Sequence, residues 1–197
     1  MGKRLLAIAF AVLCLAGAFL YSAYSGWKTE FGNVDSVYRN GITVEGETYA
    51  SVASIVEKRA ASALNIVVLA ERYLGLGFPE YDDIKAGAAL LRSDKATLAE
   101  KAAAYDSLCM TCTRLLSDNL ANISFLAAPD AEHQRSSDYL YGFIEGEKEF
   151  TYAAPIRQYN AYAEKIAKKA QDEFTYKALT MIVKLDLPQT FPSAQVQ

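Results

Sequence analysis

Two cysteines at Cys-x-x-Cys spacing are the residues with the clearest chemical potential in this sequence. Cys109 and Cys112 enclose Met110 and Thr111, which is the spacing of a thiol redox pair or of half a zinc site. A zinc site needs two further ligands, and the chain contains a single histidine, His133. Both cysteines fall on an apolar helical stripe, where cysteine behaves as a small hydrophobic residue. We therefore predict that they are core residues, with a redox pair as the alternative.

A second set of polar residues stands in apolar surroundings. Arg59 and Asn65 belong to one helical stretch, and Asn65 immediately precedes the apolar run 66–69. Because buried polar groups are almost always hydrogen-bonded, we predict that Arg59, Asn65 and Asn160 make polar contacts between helices. The alternative for Arg59, together with Lys58, is a solvated helix face.

Composition excludes several classes of function. The chain has 20 basic and 23 acidic residues, and without Lys3 and Arg4 the remaining 18 basic residues leave a net charge of −5. An acidic body argues against a nucleic-acid partner. The sequence has no glycine-rich phosphate loop, catalytic triad or paired carboxylates that would indicate catalysis. We predict a protein without enzymatic activity, cofactor or metal.

The N-terminal segment is the most apolar part of the chain. Every residue in Leu5–Leu20 is apolar, and Leu5–Tyr24 reaches the length of about 20 residues that a membrane-spanning helix needs. Tyr21, Tyr24 and Trp27 are expected to form an aromatic belt at the membrane surface. The segment therefore predicts an anchor in the lipid bilayer.

Charges around this segment predict its orientation. Lys3 and Arg4 precede it, whereas Lys28 is the only cation close behind it. The positive-inside rule then places the N-terminus in the cytoplasm and the body outside. The alternative is a signal peptide cleaved after the small residues Ala16-Gly17-Ala18, which would also place the body outside.

The rest of the chain shows helical periodicity, which predicts an all-α fold. We expect an up-and-down, antiparallel bundle of about four long helices behind the membrane helix. The second of them follows a near-heptad apolar stripe over about 35 residues, with a candidate break at 92–94, and residues 119–137 read as a loop. The predicted helical stretches are Thr48–Leu74, Pro79–Leu120, Leu140–Ala154 and Tyr159–Ile182.

These stretches define the predicted domain organisation. Residues 1–4 form the cytoplasmic N-terminus, 5–24 the anchor or signal peptide, 48–186 the bundle and 187–197 a mobile C-terminal tail. Residues 25–47 are predicted to be a linker or irregular helix start, because each of their four glycines weakens a helix by about 1 kcal/mol. The alternative is a helix that runs straight out of the membrane. Ile42–Val44 is too short to predict a strand.

Two motifs and the order of these elements resemble the LemA family. The basic pair before Asn65, and Tyr73 eight residues after it, are similar to the family signature. The run Arg157-Gln158-Tyr159-Asn160 is similar to the Arg-x-Tyr-Asn of the family's last helix. The family's Asp and Pro before the Asn are Ala61 and Leu64 here, so the chain resembles a divergent member.

The resemblance carries expectations about structure and function. It implies a membrane-anchored helical bundle, mostly bacterial, with no established enzymatic activity. It also adds Arg157 and Tyr159 to Asn160 as polar contacts between helices, and it implies that Asn65 pairs with Asn160. A protein of this kind would lie in the bacterial cytoplasmic membrane with a single span.

Two function hypotheses follow. The first is a membrane-anchored, non-enzymatic bundle of the cell envelope that serves as a protein-interaction or scaffolding module. Its partners would be the lipid bilayer, through Leu5–Tyr24, and an unidentified protein, and a homo-oligomer is compatible with it. The second is an envelope protein of thiol redox chemistry or metal handling that uses Cys109 and Cys112.

Overall fold

The computed structural model describes residues 2–116, 142, 143, 146, 153–183 and 186–192. This part of the chain is mostly helical, which confirms the all-α prediction. His133 and most of the predicted helix Leu140–Ala154 lie outside it, although residues 142, 143 and 146 have helical backbone. The elements are α1 (Gly2–Asn40), β1 (Ile42–Val44), β2 (Glu47–Tyr49), α2 (Val52–Leu74), α3 (Pro79–Arg92), α4 (Leu98–Leu115), α5 (Ala154–Asp172) and α6 (Phe174–Val183).

Helix α1 runs without a break from the apolar segment into the body. The predicted linker at 25–47 is therefore wrong up to Asn40, and the alternative of a continuous helix is what the structure has. Gly26 lies where α6 approaches most closely, since a Cβ atom added there would lie 2.6 Å from the hydroxyl oxygen of Tyr176. Packing against α5 and α6 offsets the low helix propensity of glycine. Helix propensity alone cannot predict this packing.

A short hairpin connects α1 to α2. Strands β1 and β2 pair antiparallel, with Ile42 opposite Tyr49. The turn residues Glu45 and Gly46 both have positive φ, 52° and 87°, as the mirror-image type I′ turn requires. The expectation that Ile42–Val44 forms no strand is wrong, because this turn holds three-residue strands together.

The predicted 35-residue helix from Pro79 is two helices, α3 and α4. The chain turns at Ser93, within the candidate break at 92–94. Thr97 then starts α4 with a capping box, in which its hydroxyl accepts a hydrogen bond from the Glu100 backbone N–H and the Glu100 carboxylate accepts one from the Thr97 N–H. The apolar stripe continues across the turn because both helices bury a face in the same core.

Ion pairs show that neighbouring helices run antiparallel. Glu57 at the start of α2 pairs with Arg92 at the end of α3, at 2.9 Å. Further along α2, Glu71 pairs with Lys85 at 2.6 Å. Between α1 and α5, Glu30 accepts a hydrogen bond from the Lys169 ammonium at 2.6 Å, which raises the pKa of Lys169. The predicted antiparallel bundle is therefore formed by the second half of α1 together with α2, α3, α4 and α5.

The C-terminal segment 186–192 belongs to the body. Phe191 is almost completely buried in the core, so the predicted mobile tail is wrong for this part of the chain. The predicted last helix is also divided, since Glu173 separates α5 from α6. Among the largest fully buried side chains are Tyr105, Tyr159, Phe191, Ile66, Ile84 and Leu108.

Candidate functional site

The first half of α1 projects from the body. All side chains from residue 3 to 19 are exposed, and contact with the body begins with half-buried Leu20 and buried Ala23. The helix is long and apolar enough to cross a membrane. Tyr21 and Tyr24 are exposed as an aromatic belt would require. Trp27 instead lies partly buried, with its ring 5.1 Å from that of Phe31.

A cavity of about 360 Å³ lies beside the second half of α1, and we call it the α1 groove. One wall is α1, the opposite wall is the turn before α4 together with the first turn of α4, and residues Asp186 and Pro188 close one side. Its volume is within the range of small-ligand sites. The groove is lined by Trp27, Phe31, Asp35, Tyr38, Arg39, Asp94, Ala96, Thr97, Leu98, Ala99, Lys101, Asp186 and Pro188.

Two residues that line the α1 groove have a buried polar group with few favourable contacts in the described part of the chain. The indole N–H of Trp27 is buried and has no hydrogen-bond partner among the described residues. Lys101 is only 9% exposed, and its ammonium lies 5.4 Å from the centre of the Tyr38 ring. Burial lowers the pKa of Lys101, as does the charge of Arg39, while Asp94 acts in the opposite direction. Lys101 therefore offers a cation to an anionic group bound in the α1 groove.

The inner end of the α1 groove meets a group of packed rings, which we call the aromatic cluster: Tyr38, Tyr105, Tyr159 and Phe191. The Phe191 ring lies 5.2 Å from that of Tyr159 and, edge to face, 5.7 Å from that of Tyr105. Burial raises the pKa of Tyr38 to about 12 and also raises the pKa of Tyr159. The cluster joins α1, α4, α5 and the C-terminal segment behind the groove.

Asn160 holds the C-terminal segment in this cluster. Its side-chain amide donates to the Phe191 carbonyl at 2.9 Å and accepts from the Phe191 N–H at 2.9 Å. Both residues are buried. The side chain of Asn160 thus takes the place of a backbone partner for Phe191. This agrees with the prediction that Asn160 makes a buried polar contact.

The predicted pairing of Asn65 with Asn160 is wrong. Asn65 is exposed on α2, on the same side of the helix as exposed Lys58 and Val68. The amide of Asn160 is used by Phe191 instead. Its apolar neighbours do not predict its burial, because Ile66, Val67 and Leu69 face inward from other sides of the helix.

The other polar residues of the two motifs are separated in the structure. Arg59 is buried, donates to the Phe143 carbonyl at 2.8 Å and stacks over the Phe143 ring at 4.1 Å, so its predicted interhelical contact is formed, with Phe143 as a partner. Tyr159 is fully buried, but its hydroxyl has no hydrogen-bond partner in the described part of the chain. Arg157 is exposed and lines a shallow cavity beside the hairpin, so its polar contact between helices stays a prediction.

Cys109 and Cys112 are both buried within the hydrophobic core. They lie on α4, and the structure has both as thiols. Their position agrees with the prediction of core residues on an apolar stripe.

Sequence reasoning missed the α1 groove and Phe191. A signal for Lys101 exists, because it stands three residues after Leu98 and four before Tyr105 and so shares their apolar face. Phe191 gave no comparable signal, since Asn160, to which it is hydrogen-bonded, is 31 residues away in the chain.

Comparisons with protein-family models, with curated proteins and with solved structures each found no match to this chain.

Proposed function

We propose that this chain is a membrane-anchored, non-enzymatic helical-bundle protein of the cell envelope, similar to the LemA family, and that its α1 groove binds a partner protein. The observation that carries the proposal is the continuity of α1. The same helix that exposes apolar residues from 3 to 19 forms one wall of the groove from Trp27 to Arg39. The anchor and the binding surface are thus parts of one rigid element.

This continuity fixes the distance between the groove and the membrane. With a rise of 1.5 Å per residue, Trp27 lies about 5 Å and Arg39 about 22 Å beyond Tyr24 along α1. A groove at this height faces the juxtamembrane segments of neighbouring membrane proteins. The cations Lys3 and Arg4 ahead of the apolar segment support an outward-facing body in a bacterial cytoplasmic membrane.

The chemistry of the groove suits a peptide segment. Trp27 and Phe31 offer aromatic surface, a residue type enriched in protein interfaces. Asp35 and Arg39 form an ion pair of 2.8 Å at the rim, and rim charges contribute more to specificity than to affinity.

The burial of Cys109 and Cys112 favours a structural role over the redox alternative. Thiol–disulfide exchange needs an accessible thiolate, whereas these side chains are 8% and 0% exposed. With the intact folded protein, we expect both to react slowly with a thiol reagent. Rapid reaction of both thiols would favour the redox hypothesis instead.

Site-specific photo-crosslinking in native membranes tests the groove as an interaction site. A photoreactive residue at Asp94, inside the groove, is compared with one at Asp106, on the exposed side of α4. We expect a discrete crosslinked species from position 94 only, and its loss when Lys101→Met is added. Equal crosslinking from both positions, or a product insensitive to Lys101→Met, would contradict the proposal.

A further inference from the structure

Helix α6 extends the body toward the membrane. Helix α1 and the α5–α6 segment run antiparallel. Their contacts show this direction, since Tyr38 meets Tyr159, Glu30 meets Lys169 and Gly26 meets Tyr176. Each later residue of α5 and α6 therefore lies closer to the apolar half of α1. Helix α6 points its C-terminal end at the place where α1 leaves the body.

The height of that end follows from helix geometry. Val183 comes seven residues after Tyr176, which is about 10 Å at 1.5 Å per residue. Seven residues before Gly26 on α1 is Phe19, within the apolar segment. The burial of Ala23 and the partial burial of Leu20 agree with a helix packed along this part of α1. The end of α6 is thus level with the membrane-spanning segment.

The side of α6 that faces away from α1 is apolar at this end. Tyr176 and Leu179 are buried against the body, whereas Met181 and Ile182 are 69% and 65% exposed and Val183 is also exposed. A soluble surface rarely keeps consecutive large apolar side chains in water without a partner. Their position beside the exposed part of α1 indicates that the same lipid covers both.

Charges on α6 fit a lipid surface. The helix contains no acidic residue, and Lys177 is exposed one turn before Met181. The acidic residues Asp172 and Glu173 precede the helix, at its end away from the membrane, and Asp186, which follows the helix, lines the α1 groove. Lysine side chains at this height extend toward anionic headgroups while their aliphatic part stays in the interface.

We propose that α6 is a second membrane contact, in which Met181, Ile182 and Val183 insert into the outer lipid leaflet beside α1 and Lys177 contacts anionic headgroups. The proposal rests on the proposed anchoring of α1. Two contacts on one side of the bundle would fix the tilt of the body, and with it the direction in which the α1 groove opens.

Tryptophan quenching by lipids tests this insertion, because Trp27 is the only tryptophan. In a Trp27→Phe background, single tryptophans are introduced by Ile182→Trp, by Phe19→Trp as the membrane control and by Val68→Trp as the exposed control on α2. The full-length variants are reconstituted in vesicles containing anionic phospholipid and chain-brominated phospholipid. Met181→Trp serves as a second reporter on α6.

We expect quenching of Ile182→Trp comparable with that of Phe19→Trp, and much weaker quenching of Val68→Trp. Adding Lys177→Glu should reduce quenching at position 182 in anionic vesicles more than in zwitterionic ones. If positions 181 and 182 are quenched no more than position 68 while position 19 is quenched, α6 insertion is overturned and the anchor stands. If position 19 is also unquenched, the proposed anchoring itself fails. A blue-shifted but unquenched tryptophan at 182 would mean that a protein or a second copy covers this face, which also overturns the proposal.

Discussion

Asn160 and Phe191 are joined by two hydrogen bonds of 2.9 Å in the buried centre of the protein. This pair connects α5 to the C-terminal segment, 31 residues further along the chain. The segment brings the Phe191 ring against Tyr38, Tyr105 and Tyr159. The amide of Asn160 and these ring contacts together hold the wall behind the α1 groove.

Replacing that amide should destabilise the fold. Asn160→Leu removes both hydrogen bonds from buried backbone groups of Phe191, which we expect to lower the free energy of unfolding by roughly 2–4 kcal/mol. Asn65→Leu is the matched control, because Asn65 is exposed and its replacement should change stability by less than about 0.5 kcal/mol. Denaturant unfolding in detergent measures both. Equal losses in the two variants would contradict the assignment, as would coupling between the two sites in a double-mutant cycle.

Asn65 also shows what the sequence could and could not predict. Periodicity identified α2, α4 and α5 because their apolar residues repeat every three or four positions. The same periodicity, applied strictly, puts Asn65 seven residues after Lys58 on the exposed side, so its burial was mispredicted from neighbours in the chain. The partner of Asn160 could not be predicted, because no local pattern identifies a residue 31 positions away.

The connections between helices were harder to predict than the helices themselves. The candidate break at 92–94 marks the position of the turn at Ser93. It does not predict that the chain reverses there, because α3 and α4 face the same core and the apolar stripe continues across the turn. Gly26 by itself predicts a weak point in the helix, and the sequence does not show that Tyr176 packs against it. In both cases the missing information is a tertiary contact.

Arg59 should contribute to stability in spite of its charge. It donates a hydrogen bond to the Phe143 carbonyl and covers the Phe143 ring. We expect Arg59→Ala to cost about 2–4 kcal/mol, from the lost charged hydrogen bond and the lost packing. Arg92→Ala removes an exposed ion pair with Glu57 and should cost about 0–1 kcal/mol. If thermal unfolding shows similar losses for both, the buried role of Arg59 is wrong.

Alanine substitutions at Gly41 and Gly46 distinguish the cost of backbone strain from the cost of a steric clash near the hairpin. Both have positive φ, but a Cβ atom on Gly41 would clash with the Tyr49 carbonyl oxygen, whereas Gly46 faces open space. Gly46→Ala should cost about 1 kcal/mol from strain alone. Gly41→Ala should cost at least about 2 kcal/mol, because backbone must also move. Chemical denaturation of the two variants checks the difference, and an equal cost would show that the hairpin adapts freely.

Stability should fall at alkaline pH through Tyr38. Burial raises its pKa from 10.0 to about 12, so the folded protein keeps the phenol proton that the unfolded chain releases above pH 10. The contribution of this neutral side chain is fully present below pH 10. It should be lost at about 1.4 kcal/mol per pH unit between pH 10 and about 12.

Tyr38→Phe provides the control for this pH dependence. The variant lacks the titrating group, so its free energy of unfolding should decline less steeply above pH 10. Tyr159, whose pKa burial also raises, remains in the variant and should leave a residual slope. Identical slopes for the two proteins would show that Tyr38 does not titrate differently in the folded state.

The intact mass of the chain recovered from carbonate-washed membranes tests the central claim most directly. A retained α1 anchor predicts that the protein stays in the membrane pellet at its full mass of 21.6 kDa, apart from processing of the initiator methionine. Removal of the apolar segment would release the body from the membrane. A chain that begins at Phe19 and is recovered in the carbonate supernatant would contradict the account.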